Sequence, residues 1–229
     1  MTRTRSLLLS SRAERGREHD RWHPADWDDF FQQSLIPAVL SLVISAWDRM
    51  EKPEQTAHED DISVKLYTAL ITGKDRNRHA FLIRYQDVEV DTDLTKVTGK
   101  KDIVVFPSTL EEVYFCLEAK RLNALVSGVR RSLADAYVRE GMQRFVDGKY
   151  SRFIRHGGML GYVLDGQVNR AIRNVEINIQ THARELGMTL PGRFLPSSVQ
   201  PSDSFAKETH HRRSHETAIF HIHHLFMSG

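Results

Sequence analysis

Two different periods in the apolar and polar positions predict a mixed order of helices and strands. Apolar positions repeated every three or four residues predict three helices, over residues 56–73, 130–146 and 167–186. Short apolar runs bounded by turn residues predict four strands, over residues 80–90, 103–106, 113–117 and 157–166. The resulting order of helix, three strands, helix and strand predicts an α/β fold.

The segments outside this predicted core have a different character. Residues 1–22 are polar and rich in arginine and predict a mobile basic arm. Residues 23–55 have a wide apolar face and predict a helical segment that Pro37 kinks or divides. Residues 188–229 predict a loop and a histidine-rich strand, packed on the core at a sheet edge. The core itself is expected to span residues 56–187.

Composition narrows the class of protein. The 229 residues are 40% hydrophobic and 27% charged, which is ordinary for a globular chain. Cys116 is the only cysteine, so no disulfide can form within the chain, and a cytoplasmic location is expected. Because no apolar stretch approaches the length of a membrane span, we expect no membrane partner.

The residues that could carry chemistry lie at the ends of two predicted strands. Asp102 precedes the run 103–106, whereas Glu118 and Lys120 follow the run 113–117. Side chains alternate along a strand, so Glu118 and Lys120 point the same way. Antiparallel pairing of the two strands would bring Asp102 towards the same end. Carboxylates that hold Mg²⁺ beside an ammonium group suit hydrolysis of a phosphodiester, because the ion activates water and the lysine neutralises developing charge.

Asp102, fifteen intervening residues and then Glu118-Ala119-Lys120 resemble the D…(D/E)-x-K signature of the PD-(D/E)XK, or restriction-endonuclease-like, nucleases. The resemblance implies a central mixed four-stranded sheet flanked by helices, and metal-dependent cleavage of nucleic acid. It implies Asp102 and Glu118 as metal ligands, and Lys120 as the residue that orients water or stabilises charge. Mg²⁺ is the expected cofactor, and Mn²⁺ is expected to substitute for it. Lys101 replaces the proline that names the motif, a position that the family often varies. The alternative is a solvated strand end with an ordinary salt bridge.

Glu59 has two interpretations. Thr56 and Glu59 have the spacing of a capping box, in which Glu59 only closes the start of a helix. At helical spacing, however, Glu59 also shares a stripe with Ile62 and Leu66, which should face the sheet. In the resembled family the helix before the sheet often supplies an extra acid near the metal, and Glu59 is the matching candidate for a catalytic residue and metal ligand.

Positive charge is concentrated just after the candidate acids. Residues 120–155 contain nine Lys or Arg against three acids, as a phosphate-binding face would. Arg130, Arg131, Arg144 and Lys149 are the predicted nucleic-acid contacts, although a charged surface is often only solvated.

The predicted function is therefore a Mg²⁺-dependent nuclease that acts on nucleic acid, on DNA rather than RNA. By resemblance alone, such a nuclease would serve in prokaryotic restriction or phage defence. A homodimer or partner proteins of a defence system are expected, because a double-strand break needs two active sites. The alternative is a non-catalytic nucleic-acid-binding or protein-interaction module on the same fold.

Six of the twelve histidines lie in the C-terminal segment, at positions 210, 211, 215, 221, 223 and 224. His221 and His223 share a predicted strand face, which would allow a transition-metal site. No cysteine or carboxylate has a convincing spacing for zinc, so the favoured interpretation is surface or phosphate-facing histidines.

Overall fold

The structure is a computed structural model that describes residues 30–75, 79–91, 96–107, 113–151, 154–214 and 216–229. The predicted arm over residues 1–22 and the first part of the segment 23–55 lie outside these residues. The chain is described from a π-helical turn, Phe31–Leu35, that runs into helix α1, Ile36–Arg49. Pro37 lies in the first turn of α1, where a proline is tolerated. The helical segment therefore changes from a π-helix to an α-helix just before Pro37.

Three further helices follow in the order predicted. Helix α2 is Glu59–Gly73, α3 consists of the consecutive segments Ala134–Ala136, Tyr137–Met142 and Gln143–Val146, and α4 is Val168–His182. The central segment of α3 is π-helical.

The prediction that α3 begins at residue 130 is wrong. Strands β4, Ala124–Val126, and β5, Val129–Arg131, form a separate antiparallel hairpin there. Ser127 and Gly128 connect them, and both have positive φ angles, 50° and 76°. Two left-handed residues match the twist of a two-residue hairpin turn, so this local turn overrides the helical pattern.

Within the described residues, seven strands form the main sheet. They are β1, Leu82–Asp91; β2, Lys96–Phe106; β3, Phe115–Leu122; β6, His156–Val163; β7, Leu195–Pro196; β8, Ala206–Arg212; and β9, Ile219–Ser228. Their order is β1-β2-β3-β6-β9-β8-β7. β3, β6 and β9 are parallel, and the other neighbours are antiparallel. The fold is thus α/β with a mixed sheet, as predicted, but the prediction of four strands is wrong because residues 188–229 add three.

Strand β9 lies between β6 and β8 and not at an edge of the sheet. Phe220 and Ile222 are buried on one face, and Leu225 is buried on the other. A strand buried on both faces usually has a nearly continuous apolar sequence. His223 and His224 interrupt that pattern, although both are buried, and this made the strand resemble an edge.

Helices cover both faces of the sheet, again as predicted. Apolar side chains of α1 and α2 pack on one face, against residues such as Ile103 and Leu117. Side chains of α3 and α4 pack on the other face, against residues such as Val104 and Cys116. Residues 115–120 of β3 are buried without interruption. Glu118 and Lys120 on this strand therefore lie inside the protein.

Candidate active site on strands β2 and β3

The register between β2 and β3 brings the predicted acids to one place. Ile103 pairs with Leu117, and Asp102 and Glu118 are the next residues outward on their strands. Both follow the alternation of the face that α3 covers. The carboxylate of Asp102 accepts a hydrogen bond from the backbone N of Ala119 at 2.8 Å. Asp102 therefore lies beside Glu118, on the same face as the sequence predicted.

The backbone of β3 also anchors Glu59. Oε2 of Glu59 accepts a hydrogen bond from the backbone N of Arg121 at 2.9 Å, and Oε1 accepts one from Nζ of Lys120 at 2.9 Å. Glu59 is the first residue of α2, and the start of that helix has no side-chain capping bond. The capping box that was one interpretation of Glu59 is therefore not formed. The two amides of β3 at positions 119 and 121 each hold one carboxylate of the cluster.

Glu118 is the most buried member of the cluster, with no exposed side-chain surface. Its Oε1 atom accepts hydrogen bonds from Nζ of Lys120 at 3.0 Å and from Nη1 of Arg144 at 2.7 Å. Its Oε2 atom is buried and has no hydrogen-bond partner among the described residues. A buried carboxylate oxygen without a donor is costly, so this atom fits a ligand to a cation.

The pKa values of these groups reflect their burial and the charges of their neighbours. Burial, and then repulsion by Asp102, raises the pKa of Glu118 to about 7, against the opposing effects of Lys120 and Arg144. Burial also raises the pKa of Asp102. Burial lowers the pKa of Lys120. The negative charges of Glu118 and Glu59 raise it by more, so the pKa of Lys120 is raised overall. Lys120 therefore keeps its proton, while the two neighbouring carboxyls would ionise more readily beside an added cation.

Arg144, predicted as a phosphate contact, lies in the cluster itself. Its Nη1 atom reaches both Glu118 and the hydroxyl of Tyr150, at 3.0 Å. Tyr150 in turn donates a hydrogen bond to the backbone O of Lys100 at 2.6 Å. This links Arg144 through Tyr150 to β2, two residues before Asp102.

Close approach of α3 to the sheet makes the Arg144 contact geometrically feasible. A Cβ atom on Gly141 would lie 2.5 Å from Cε of Met159 and 3.5 Å from Cγ of Lys120. The short distance is to the flexible end of Met159 on β6, and the distance to Lys120 on β3 is an ordinary van der Waals contact, so α3 packs closely on both strands at Gly141. Arg144 is three residues after Gly141, a spacing that places both on one helix face, and this is the signal from which its position could have been predicted.

The other predicted nucleic-acid contacts lie outside the cluster. Arg130 and Arg131 are exposed on the β4–β5 hairpin, which begins directly after the end of β3 that carries Lys120. Arg130 lies 3.5 Å from Oδ2 of Asp165. Lys149 is exposed and lies 3.7 Å from Oδ2 of Asp147. Of the four predicted contacts, the structure brings only Arg144 into contact with the acids of the cluster.

Comparisons of the chain with protein-family models, with curated proteins and with solved structures found no match. Within the described part of the chain, no helix has the combined length and apolar character needed to span a membrane. The function must therefore be inferred from the geometry of the cluster.

Proposed function

We propose that this chain is a Mg²⁺-dependent nuclease of the restriction-endonuclease-like type that hydrolyses phosphodiester bonds of DNA. The observation that supports this proposal best is the meeting of three carboxylates and one ammonium group beside the middle of β3, where a buried oxygen of Glu118 has no donor among the described residues. The order α2, β1, β2, β3, α3, β6, with β6 parallel to β3, also agrees with what the resemblance implies. A cytoplasmic role in restriction or phage defence belongs to the same proposal.

Each residue has a distinct task in this proposal. Asp102 and Glu118 hold the Mg²⁺ ion, which when bound polarises a phosphoryl oxygen and lowers the pKa of a water molecule. Lys120 keeps its proton and neutralises negative charge that develops on the phosphate. Glu59 accepts a hydrogen bond from Lys120 and so holds the ammonium group beside Glu118. Glu59 is also close enough to its neighbours to act as an auxiliary acid.

A second candidate function is favoured by a specific feature of the cluster. Lys120 and Arg144 both pair with Oε1 of Glu118, so its charge is already compensated without a metal. A cluster of this kind could serve only to stabilise the fold. The chain would then be a non-catalytic nucleic-acid-binding or protein-interaction module.

A cleavage assay distinguishes the two functions. Supercoiled plasmid, linear duplex DNA, single-stranded DNA and RNA are each incubated with Mg²⁺, Mn²⁺ or EDTA. The nuclease should cleave DNA only with a divalent ion, and Asp102→Asn should lose cleavage together with calorimetric Mn²⁺ affinity. Asp135→Asn is the matched control, because Asp135 is exposed on α3 and pairs only loosely with Arg139 and His182. Salt-sensitive DNA binding without cleavage would favour the binding module, and wild-type cleavage by Asp102→Asn would contradict the assigned site.

A further inference from the structure

A second group of metal-binding side chains lies across strands β6, β8 and β9. In the register of these strands, His210 pairs with His221 and Glu208 pairs with His223. His156 of β6 is also paired with His221. Paired residues share a sheet face, so these five side chains lie together on the face that α1 covers. The sequence indicated His221 and His223 as neighbours on one strand face but did not reveal Glu208, because Glu208 lies 13 residues before His221 and reaches it only through the pairing of β8 with β9.

Three atoms of this group converge. Oε1 of Glu208 lies 2.6 Å from Nε2 of His210 and 3.1 Å from Nδ1 of His221. All three atoms lie within 4.8 Å of one another. Ser198 donates hydrogen bonds from its hydroxyl and its backbone N to the other oxygen, Oε2. The carboxylate is thus held with Oε1 directed at the two imidazole rings.

A buried nitrogen beside these atoms lacks a hydrogen-bond partner within the described part of the chain. His223 is only 1% exposed, and its Nδ1 atom has no hydrogen-bond partner among the described residues. This atom lies 3.6 Å from Oε2 of Glu208. Its other nitrogen, Nε2, contacts Nδ1 of His156 at 3.2 Å. A buried imidazole nitrogen without a hydrogen-bond partner is unfavourable. In the tautomer whose proton is on Nε2, a cation bound at Glu208 would attract the lone pair of Nδ1.

We propose that Glu208, His210 and His221 bind one divalent transition-metal ion of the zinc class. Imidazole nitrogen and carboxylate oxygen bind Zn²⁺ at about 2.0–2.2 Å, so neighbouring ligand atoms of a tetrahedral site lie about 3.3 Å apart. The present separations from Oε1, 2.6 and 3.1 Å, need only a small outward movement. Two histidines and one carboxylate leave a fourth position for water or a substrate atom.

An ion can reach this site from solvent. The side chains of His210 and His221 are 41% and 25% exposed, whereas Glu208 is 5% exposed. A surface cleft of about 190 Å³ lined by Gln32, His156 and His221 opens beside them. The carboxylate therefore lies at the base of the site, and the imidazoles line its entrance.

The proposed zinc-class site is separate from the candidate nuclease site. Glu208, His221 and His223 lie on the α1 side of the sheet, whereas Glu118 and Lys120 lie on the α3 side. The two groups also lie at different positions along β6, because His221 pairs with its first residue, His156, whereas Glu118 and Lys120 pair with Met159 and Gly161. The proposal consequently does not depend on nuclease activity.

Metal titration of the full chain tests the proposal. After dialysis against EDTA, competition with a chromophoric chelator should give one tight Zn²⁺ site per chain. His221→Ala and His210→Ala should each lower Zn²⁺ affinity at least tenfold. Ser198→Ala, which frees the carboxylate, should lower it by about 10–100-fold, as loss of an outer partner does. His182→Ala is the matched control. His182 is the last residue of α4, and it also contacts a carboxylate, that of Glu185.

Co²⁺ provides a readout of the ligand geometry. Co²⁺ at a site of two histidines and one carboxylate should show the intense visible absorption of tetrahedral coordination, whereas an oxygen-only site is octahedral and weakly coloured. Because His210 is partly exposed, His210→Ala should fold, and circular dichroism checks this. Unchanged Zn²⁺ affinity in folded His210→Ala, or a weak octahedral Co²⁺ spectrum, would overturn the proposal.

Discussion

The buried carboxyl of Glu118 allows the electrostatics of the candidate active site to be tested through stability. Burial, with repulsion from Asp102, raises its pKa from 4.5 to about 7 in the folded chain. The folded state therefore binds a proton at this carboxyl more tightly than the unfolded state does. The resulting stabilisation is fully present below pH 4.5 and is lost as the pH rises through about 7. At about 1.36 kcal/mol per pKa unit, its full size is about 3 kcal/mol.

Glu118→Gln should remove this pH dependence, because glutamine has the shape of the protonated carboxyl and cannot ionise. Without divalent ions, we expect the variant to be more stable than the wild type by about 3 kcal/mol at pH 8, and by about 1 kcal/mol or less at pH 5. Saturating Mg²⁺ should reverse the order. An ion present at 1,000 times its dissociation constant stabilises the wild type by about 4.1 kcal/mol, which exceeds the difference of about 3 kcal/mol at pH 8, and the variant lacks the charge that binds the ion.

Urea unfolding between pH 5 and 8, first in EDTA and then in Mg²⁺, measures both effects. Glu140→Gln, an exposed substitution on α3, is the control for the chemical change itself. If the difference between Glu118→Gln and the wild type is the same at pH 5 and pH 8, the carboxyl is not held in the state inferred here and the argument from burial fails.

Three further predictions test other parts of the molecule. Lys120→Met should keep or increase calorimetric Mn²⁺ affinity but lower plasmid cleavage by about 10²–10³-fold; cleavage at the wild-type rate would exclude the assigned role. Arg130→Gln and Arg131→Gln should each flatten the dependence of log K for duplex DNA on log salt by about 0.9, and unchanged slopes would move the binding face elsewhere. Tyr137→Phe removes the buried hydrogen bond to Nδ1 of His224, 2.9 Å long, and should cost about 1–3 kcal/mol in urea unfolding; a loss below about 0.5 kcal/mol would mean that His224 finds another partner.

Local sequence was sufficient for much of the site. Strand alternation alone placed Glu118 and Lys120 on one face, and the antiparallel pairing of two short apolar runs brought Asp102 beside them, as the register confirms. Helix and strand periods likewise predicted α2, β1 to β3, α4 and β6. These features depend on residues close together in the chain, and a periodic pattern records which side of an element is buried.

Other features depended on which distant elements meet. Sequence left Glu59 between a helix cap and a site residue, and the bond from the amide of Arg121, 62 residues away, places its carboxylate in the cluster and not at a cap. Arg144 pairs with Glu118, 26 residues away, because α3 packs against the face of β3 that carries Glu118. The insertion of β9 between β6 and β8 created both the seven-stranded sheet and the group around Glu208. The period of a strand indicates its buried faces but not its neighbours, because pairing depends on long-range packing and not on local conformation.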